Sequence, residues 1–534
     1  MEGFSLDTLA RRRYFLSKSN FIKALVFCLA SGPALGATTV AEDAGLKAYN
    51  AGNFSQALGI WKPKAEQGDV VAQFYVGQLF REGKGVPQNF REAAQWYQRA
   101  ADGGHSGAQN NLGYLYANGL GVPQSNEIAY KWMLLAASAG QPDAIKSAGE
   151  LGKKLSVAEL AKTEAALGWM YQNGLKVARQ NSQEAARWYL RAALKGQPVA
   201  QNNLAEMLSR GEGVTFNPTE AARWYTEAAK QGHYPAQQSL GMLYFKGIGV
   251  PQDFTWAYAW LYAADQGYGQ AMGETDGAGK NGAGATDATK ASPAARDLFL
   301  LDQQMSEQER AIAANRIGVF YQQGIGIKQD YVAAMKWYKQ AAAVGYPSAE
   351  HNIGLMYQNG FGGDVDLVQA ANWYTKAANQ GHALAQNNLG VLLQRGVQAK
   401  QDAEHAVEWF RKAAEQGLAG AEANLGAAYY AGSGIARDYD QALNWFKRAA
   451  EQSHPRAFDM LGRMYFLGQG VKQDLVEANK WFSLALELGY EPAKEGFDVT
   501  AAKLSTEQTT KVKTLVDAWH KQRNAVRPDN GPTN

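Results

Sequence analysis

Tryptophan recurs along this chain at a fixed spacing, and this period constrains the fold more than any other feature. Ten of the 14 tryptophans fall into three runs in which neighbours lie 36 residues apart, and an eleventh precedes the first run by 35 residues. The periodic positions are Trp61, Trp96, Trp132, Trp188, Trp224, Trp260, Trp337, Trp373, Trp409, Trp445 and Trp481. A fixed period of this length indicates a solenoid of eleven units, in which each unit stacks on its neighbours.

Each period holds two helical patterns separated by a glycine-rich loop. Around Trp96, small or apolar residues at 93, 94, 97, 100, 101 and 104 fit the spacing of an amphipathic helix, here called helix B. The segment 72–80 follows the same period and is helix A. Gly83 ends helix A, because glycine accepts the left-handed conformation beyond a helix end. Asn89 and Glu92 have the spacing of a capping box at the start of helix B.

The period is interrupted twice, which predicts three arrays of three, three and five units. The segments 152–166, 301–316 and 501–520 each carry a helix start of the form Ser-x-x-Glu or Ser-x-x-Gln. We interpret each of them as a capping helix. The predicted parts are a signal peptide (1–36), array 1 (37–166), array 2 (167–315), array 3 (316–523) and a disordered tail (524–534). The Gly/Ala/Thr-rich segment 273–292 is predicted to be a flexible insertion in array 2.

The amino terminus has the pattern of an export signal. Arg11, Arg12 and Arg13 precede a short apolar stretch, 24–30, and a small-x-small cleavage pattern ends at Gly36. This predicts a periplasmic or secreted protein that is cleaved near Gly36/Ala37. General secretion and the twin-arginine route both stay open, as does the alternative of an amphipathic first helix. Cleavage would also remove Cys28, the only cysteine, so neither a disulfide framework nor a cysteine-built metal site is expected.

Charge and hydropathy exclude two classes of partner. The 36 N-terminal residues carry five basic and two acidic side chains, so their removal leaves as many acidic as basic residues. A neutral chain gives no electrostatic reason to bind nucleic acid. The sequence contains no run of 18 apolar residues, which argues against a membrane span.

Several sequence runs resemble the Sel1-like repeat family, a branch of the tetratricopeptide superfamily. They include "LGYLYANGLGVPQ", "LGMLYFKGIGVPQDF" and "IGVFYQQGIGIKQDYVAAMKWYKQAAAVG". The resemblance covers about three quarters of the chain. It implies an all-α, right-handed solenoid of antiparallel helix pairs. Departures exist: Ala205 replaces the helix A glycine, Lys176 replaces a loop glycine, and the unit at 390–417 lacks the Gly-x-Gly-Val loop.

The resemblance also implies a scaffold role, since members of this family mostly assemble or regulate other proteins. In the superfamily helix A lines the concave surface, where polar side chains can bind a peptide backbone. One asparagine lies two residues before the helix A glycine position in five units: Asn111, Asn203, Asn352, Asn388 and Asn424. These five are the candidate partner-binding groove. The open alternative is that each asparagine bonds the backbone of the adjacent repeat instead.

Catalytic and ligand-binding signatures are not found in the sequence. The Gly-x-Gly loops follow helices rather than strands, which does not fit a phosphate cradle. His105, His233, His382 and His454 lie in turns between units, and we interpret them as solvated turn residues. The Trp-Tyr pairs are predicted to be core, with an aromatic carbohydrate platform as the alternative. We therefore expect no enzyme activity, no cofactor and no metal.

Two functions remain. The first is an exported, non-catalytic scaffold or adaptor that binds a partner protein or peptide through its concave face. The second is an envelope protein that binds cell-wall material or exopolysaccharide directly. The sequence does not identify the partner.

Overall fold

The computed structural model describes residues 43–178, 180–271, 292–397 and 402–526. All regular secondary structure within these ranges is helical. The predicted signal peptide, the predicted insertion up to residue 291 and the end of the predicted tail, 527–534, lie outside the described residues.

The helices alternate between the two kinds that the sequence predicts. The first part of the chain contains α1 (Ala44–Asn50), α2 (Phe54–Glu66), α3 (Val70–Glu82), α4 (Phe90–Asp102), α5 (Ser106–Asn118), α6 (Asn126–Ser138) and α7 (Pro142–Gly152). The second part contains α8 (Val157–Asn173), α9 (Ser182–Leu194), α10 (Pro198–Arg210), α11 (Pro218–Lys230), α12 (Tyr234–Lys246), α13 (Phe254–Ala271), α14 (Pro293–Asp302), α15 (Glu307–Gln323), α16 (Tyr331–Ala342), α17 (Pro347–Asn359), α18 (Leu367–Asn379), α19 (Ala383–Gln394), α20 (Ala403–Glu415), α21 (Ala419–Ala431), α22 (Tyr439–Glu451), α23 (Pro455–Leu467), α24 (Leu475–Glu487), a 3-10 turn (Glu491–Ala493), α25 (Lys494–Ala501) and α26 (Thr506–Val526).

Each helix A packs most closely on the helix B of its own unit, and each helix B packs on the next helix A, except that α6 packs on α7 and α24 is the last helix B. Helix A is α1, α3, α5, α8, α10, α12, α15, α17, α19, α21 and α23, and helix B is the periodic helix that follows each of them. Sequential packing of this kind confirms the predicted all-α solenoid within each compact part of the chain.

Local capping signals set the helix boundaries. Asn181 accepts a hydrogen bond from the backbone N–H of Glu184 at 3.0 Å, and Asp438 does the same for Gln441 at 2.9 Å. At the other end, Gly247 closes α12 in the left-handed conformation (φ 68°). The reciprocal capping box forms at Ser156, where Glu159 also accepts from the Ser156 backbone. These are the local interactions that the sequence predicts.

The side chain after the tryptophan is the centre of most units. In four units this side chain is a fully buried tyrosine whose ring packs directly against the helix A glycine of the same unit. These are Tyr97, Tyr189, Tyr338 and Tyr374. A Cβ atom built on Gly354 would lie 2.5 Å from the Tyr374 ring, so only glycine lets the two helices approach this closely. The period therefore reflects a glycine–aromatic contact at the core of the unit.

The breaks in the array differ from the prediction. The chain divides into two compact units between Gly152 and Lys153, and not between 166 and 167. The boundary at 166/167 falls inside α8, and the boundary at 315/316 falls inside α15. The first two segments interpreted as capping helices are the first turns of a 17-residue helix A, because their Ser-x-x-Glu cap runs directly into the next repeat. Only the third, α26, is a separate terminal helix.

Candidate partner-binding face

Three of the five predicted asparagines link successive A helices. Asn352 donates from Nδ2 to Oδ1 of Asn315 at 2.9 Å, and Asn424 donates to Oδ1 of Asn387 at 2.9 Å. Asn388 contacts Nε2 of His351 at 3.2 Å. All three side chains remain partly exposed. Their partners are side chains of the preceding helix A, so the alternative of a bond to the adjacent repeat's backbone does not describe these contacts.

The other two asparagines lie beside core tyrosines. Burial raises the pKa of Tyr97 to about 12, while Arg81 and Asn111 act in the opposite direction. Burial also raises the pKa of Tyr189 to about 12, and a hydrogen bond with Asn203 opposes that shift. Asn111 and Asn203 are partly exposed, like the other three. Asn388 also lies beside a core tyrosine, because its hydrogen bond opposes the raised pKa of Tyr374. The five asparagines therefore share a register on helix A, and Asn388 has both kinds of contact.

An apolar row runs beside the asparagines of the second compact unit. Val319, Leu355, Val391 and Ala427 lie one residue after the helix A glycine in successive units, and all four are partly exposed. Residues three apart lie on one side of a helix. Leu355 therefore shares a side of α17 with Asn352, and Val391 shares a side of α19 with Asn388. We call these residues together with Asn352, Asn388 and Asn424 the helix A face.

Buried glutamines beneath this face connect one unit to the next. Gln386 donates from Nε2 to the carbonyl oxygen of Ala378 at 3.1 Å, and Gln416 donates to Oε1 of Gln386 at 2.8 Å. The equivalent Gln201 bonds Ala193 and Gln231 in the same way. Each glutamine satisfies a carbonyl at the end of the preceding helix B, which leaves fewer buried polar groups unpaired.

Three units carry a glutamate at the glutamine position: Glu164, which pairs with Arg191 and Lys195, and the two described next, Glu350 and Glu422. Glu350 accepts from Nε2 of Gln380 at 2.7 Å, and Glu422 accepts from Arg448 at 2.9 Å. Burial raises the pKa of both carboxyl groups above the ordinary value. A carboxylate cannot donate to the backbone carbonyl, so these two positions lose one contact that glutamine makes.

Three of the four histidines between units are helix caps, which corrects the prediction of solvated turn residues for these three. Nδ1 of His105 accepts from the backbone N–H of Ala108 at 3.1 Å, and His233 and His382 cap α12 and α19 in the same way. Burial lowers the pKa of these three imidazoles. His454 makes no side-chain cap hydrogen bond, and burial lowers its pKa to about 4. The sequence analysis missed this capping role because histidine is rare as a helix cap. Asp69 and Gln197, which occupy the same position in other units and cap their helices, could have indicated it.

The periodic tryptophans divide into two groups. Trp61, Trp96, Trp132, Trp188, Trp224, Trp260 and Trp481 are buried, whereas Trp337, Trp373, Trp409 and Trp445 are partly exposed. Lys376, Lys412 and Arg448 each lie over the indole of their own unit at 3.9, 4.0 and 4.5 Å from the ring centroid. The core prediction thus holds for the first group and only partly for the second.

The remaining tryptophans, Trp169, Trp256 and Trp519, do not follow the period. Trp256 stacks beside Trp260 and lies under the guanidinium of Arg316, 4.0 Å from the ring centroid. Trp519 of α26 packs edge-on against Trp481 at 5.0 Å. Trp169 is 51% exposed on α8. Trp256 and Trp519, which are partly buried, mark the places where the regular stacking changes or ends.

The described residues contain neither a metal-ligand cluster nor a candidate membrane span. Within them, no group of three His, Cys, Asp or Glu side chains is arranged to hold a metal ion. Nor does any helix in the described ranges have the length and apolar character of a membrane span.

Comparison with known families decides the identity of the repeats. The Sel1 repeat model matches ten segments, 70–105, 106–141, 161–197, 198–233, 235–268, 311–346, 347–382, 383–418, 419–454 and 459–490. These segments make up well over half of the chain. The chain belongs to the Sel1 repeat family. Sel1 repeat proteins are generally non-catalytic scaffolds for protein interactions.

Two solved structures illustrate the family. One is c5321, a protective antigen present in uropathogenic Escherichia coli strains with an SLR fold. It is 29% identical, with 91% of this chain and 94% of that chain covered and a TM-score of 0.42. The other is a Sel1 repeat protein from Oxalobacter formigenes, 26% identical, with 54% and 99% covered and a TM-score of 0.35. No curated protein matches the chain.

Proposed function

We propose that this Sel1 repeat protein is a scaffold or adaptor that binds a partner protein or peptide through the helix A face. The observation that carries the proposal is the pairing of partly exposed apolar side chains with amides in successive units. Leu355 and Val391 offer apolar contact area, and Asn352, Asn388 and Asn424 offer hydrogen bonds beside it. Apolar contacts flanked by polar groups are the usual composition of a protein interface.

A matched pair of variants tests this proposal. Leu355→Gln changes the helix A face, and Val368→Gln changes a 50% exposed apolar residue on helix B of the same unit. We expect affinity purification with Leu355→Gln to lose the partner that the parent retains, while Val368→Gln keeps it. Equal retention by both variants, with equal melting temperatures, would rule out the helix A face as the binding surface.

We also propose that the chain is exported to the periplasm or secreted, with cleavage near Gly36/Ala37. Support comes from the basic cluster, the short apolar stretch and the small-x-small pattern at the amino terminus. N-terminal sequencing of the protein from the envelope fraction should begin near Ala37. An intact Met1 on cytosolic protein would overturn the proposal.

The second candidate, direct binding of cell-wall material or exopolysaccharide, has one observation in its favour. Trp337, Trp373, Trp409 and Trp445 are partly exposed at a constant spacing, and aromatic rings are common sugar-stacking surfaces. Retention on purified, protein-free sacculi by the parent, and its loss in Trp409→Ala, would favour this function. Absence of retention would leave the protein-binding proposal alone.

A further inference from the structure

Two histidine rings, His351 and His382, lie against each other at one joint of the array. The imidazole of His351 in α17 and that of His382, which precedes α19, have ring centroids 4.8 Å apart at an interplanar angle of 31°. His351 is 6% exposed, whereas His382 is partly exposed. Within the described residues, which include all seven histidines of the chain, this is the one pair of histidine rings in contact.

Each imidazole uses a nitrogen that must stay unprotonated. Nδ1 of His382 accepts the backbone N–H of Ala385 at 3.2 Å and so caps α19. Nε2 of His351 lies 3.2 Å from Nδ2 of Asn388, an amide nitrogen that can only donate. Protonation converts both acceptors to donors. It also puts a positive charge at the amino terminus of α19, where the helix dipole disfavours cations.

Among the described residues, no charged group beside the pair favours the protonated form. The Tyr374 ring of α18 lies 5.6 Å from His351. The Glu350 carboxylate is turned to Gln380 of the loop after α18, and Lys376 lies over the Trp373 ring. Burial lowers the pKa of His351 to about 3, with the charge of His382 adding to the shift and Asn352 opposing it. Burial lowers the pKa of His382 as well.

We propose that this histidine pair makes the joint between residues 347–382 and 383–418 an acid-sensitive point of the array. Protonation would remove the cap of α19 and the contact between His351 and Asn388, and would place two like charges against each other. Both folded-state pKa values lie below the ordinary 6.5, so the opened state takes up more protons. The stability of this joint therefore falls as the pH decreases below about 6.5.

The chain itself supplies matched replacements. Gln197 caps α10 at the position of His382, accepting from Ala200 at 2.6 Å. Asn387 occupies the position of His351 in the next unit and accepts from Asn424. His382→Gln and His351→Asn should therefore keep both contacts while removing the groups that titrate.

Hydrogen exchange of the full chain at pH 7.5 and pH 5.0, corrected for intrinsic rates, tests the proposal. We expect amides of α19 to lose protection by up to about tenfold per pH unit for each extra proton taken up. Amides of α21, whose Leu418 cap makes no side-chain hydrogen bond, should change much less. The double variant His351→Asn/His382→Gln should flatten the response of α19.

Either of two results would overturn the proposal: equal loss of protection in α19 and α21 of the parent, or an unchanged acid response in the double variant. If the double variant does not fold at pH 7.5, the comparison within the parent decides, together with the single variant His382→Gln.

Discussion

Two joints in the second compact unit are built from different chemistry. At the joint between α18 and α19, small alanines pack together and amides connect the units. Gln386 bonds the carbonyl of Ala378, and Gln416 bonds Gln386. These contacts recur at other joints, so one residue pattern repeats the same connection along the array.

The joint between α13 and α15, which follows the break in the period, relies on large aromatic side chains. The Trp260 and Phe320 rings have centroids 4.6 Å apart, and the Tyr262 and Tyr321 hydroxyls are 3.1 Å apart. Arg316 pairs with Asp253 at 3.2 Å.

The glycine-rich loop after α15 also lies in a different place from the equivalent loop of the other units. The Gly326 N–H donates to the carbonyl of Lys230 at 3.0 Å, and Gln237 donates to the carbonyl of Gly326. At other joints the second loop glycine lies against the start of the preceding helix B, as Gly434 lies against Ala403. The difference shows that a repeat pattern specifies regular joints, while an interrupted joint needs residues outside the pattern.

The largest expected effect lies at the aromatic joint. Phe320 is 2% exposed, and Phe320→Ala should cost about 3–5 kcal/mol, the range for large aromatic truncations. Hydrogen exchange should show lost protection in both α13 and α15. Tyr374→Ala, an equally buried control, should cost a similar amount but lose protection only around α17 to α19, because a solenoid unit contacts only its neighbours. A cost below about 1 kcal/mol for Phe320→Ala would contradict the importance of this joint.

A smaller effect is expected from crowding the core of a regular unit. Gly354→Ala places a methyl group against the Tyr374 ring and should cost about 1–3 kcal/mol. Gly59→Ala is the control: its Cβ would meet open space in the middle of α2, so it should stabilise by up to about 1 kcal/mol. Thermal melts of the two variants should therefore shift in opposite directions. Shifts in the same direction would contradict the glycine–aromatic account.

The smallest effect concerns the glutamine hydrogen bonds that connect one unit to the next. Glu350→Gln restores the glutamine found at other joints and should stabilise the fold by about 1 kcal/mol at pH 7. The folded-state pKa of Glu350 is raised, so its ionisation destabilises the fold as the pH increases above 4.5. The gain should therefore vanish when the pH is lowered far enough to protonate Glu350. Denaturant melts at pH 7 and pH 4 measure this; a gain that does not depend on pH would contradict the argument.

The sequence predicted the helices and their caps well, because both depend on local patterns that repeat. The Trp period identified the units, and Asn181 or Asp438 marked helix starts correctly. The breaks were less predictable, since the pattern does not show whether a Ser-x-x-Glu start closes one array or opens the next helix A. The contact between Trp260 and Phe320 joins segments on either side of the break, and the repeat pattern does not indicate it.

The sequence predicted which helix A position the candidate site residues occupy, but it did not predict which side chains they contact. The spacing placed Asn352, Asn388 and Asn424 at one position of helix A. It did not show that they bond side chains of the preceding unit, because those partners lie 37 residues away and vary from Asn315 to His351.

Site-specific photo-crosslinking tests the central claim, that the helix A face binds a partner protein, most directly. A photoreactive phenylalanine derivative replaces Leu355 on helix A in one strain and Val368 on helix B of the same unit in another. After irradiation of intact cells, we expect a defined protein adduct from position 355 and none from position 368. Equal adducts from both positions, or an adduct from position 368 alone, would contradict the claim.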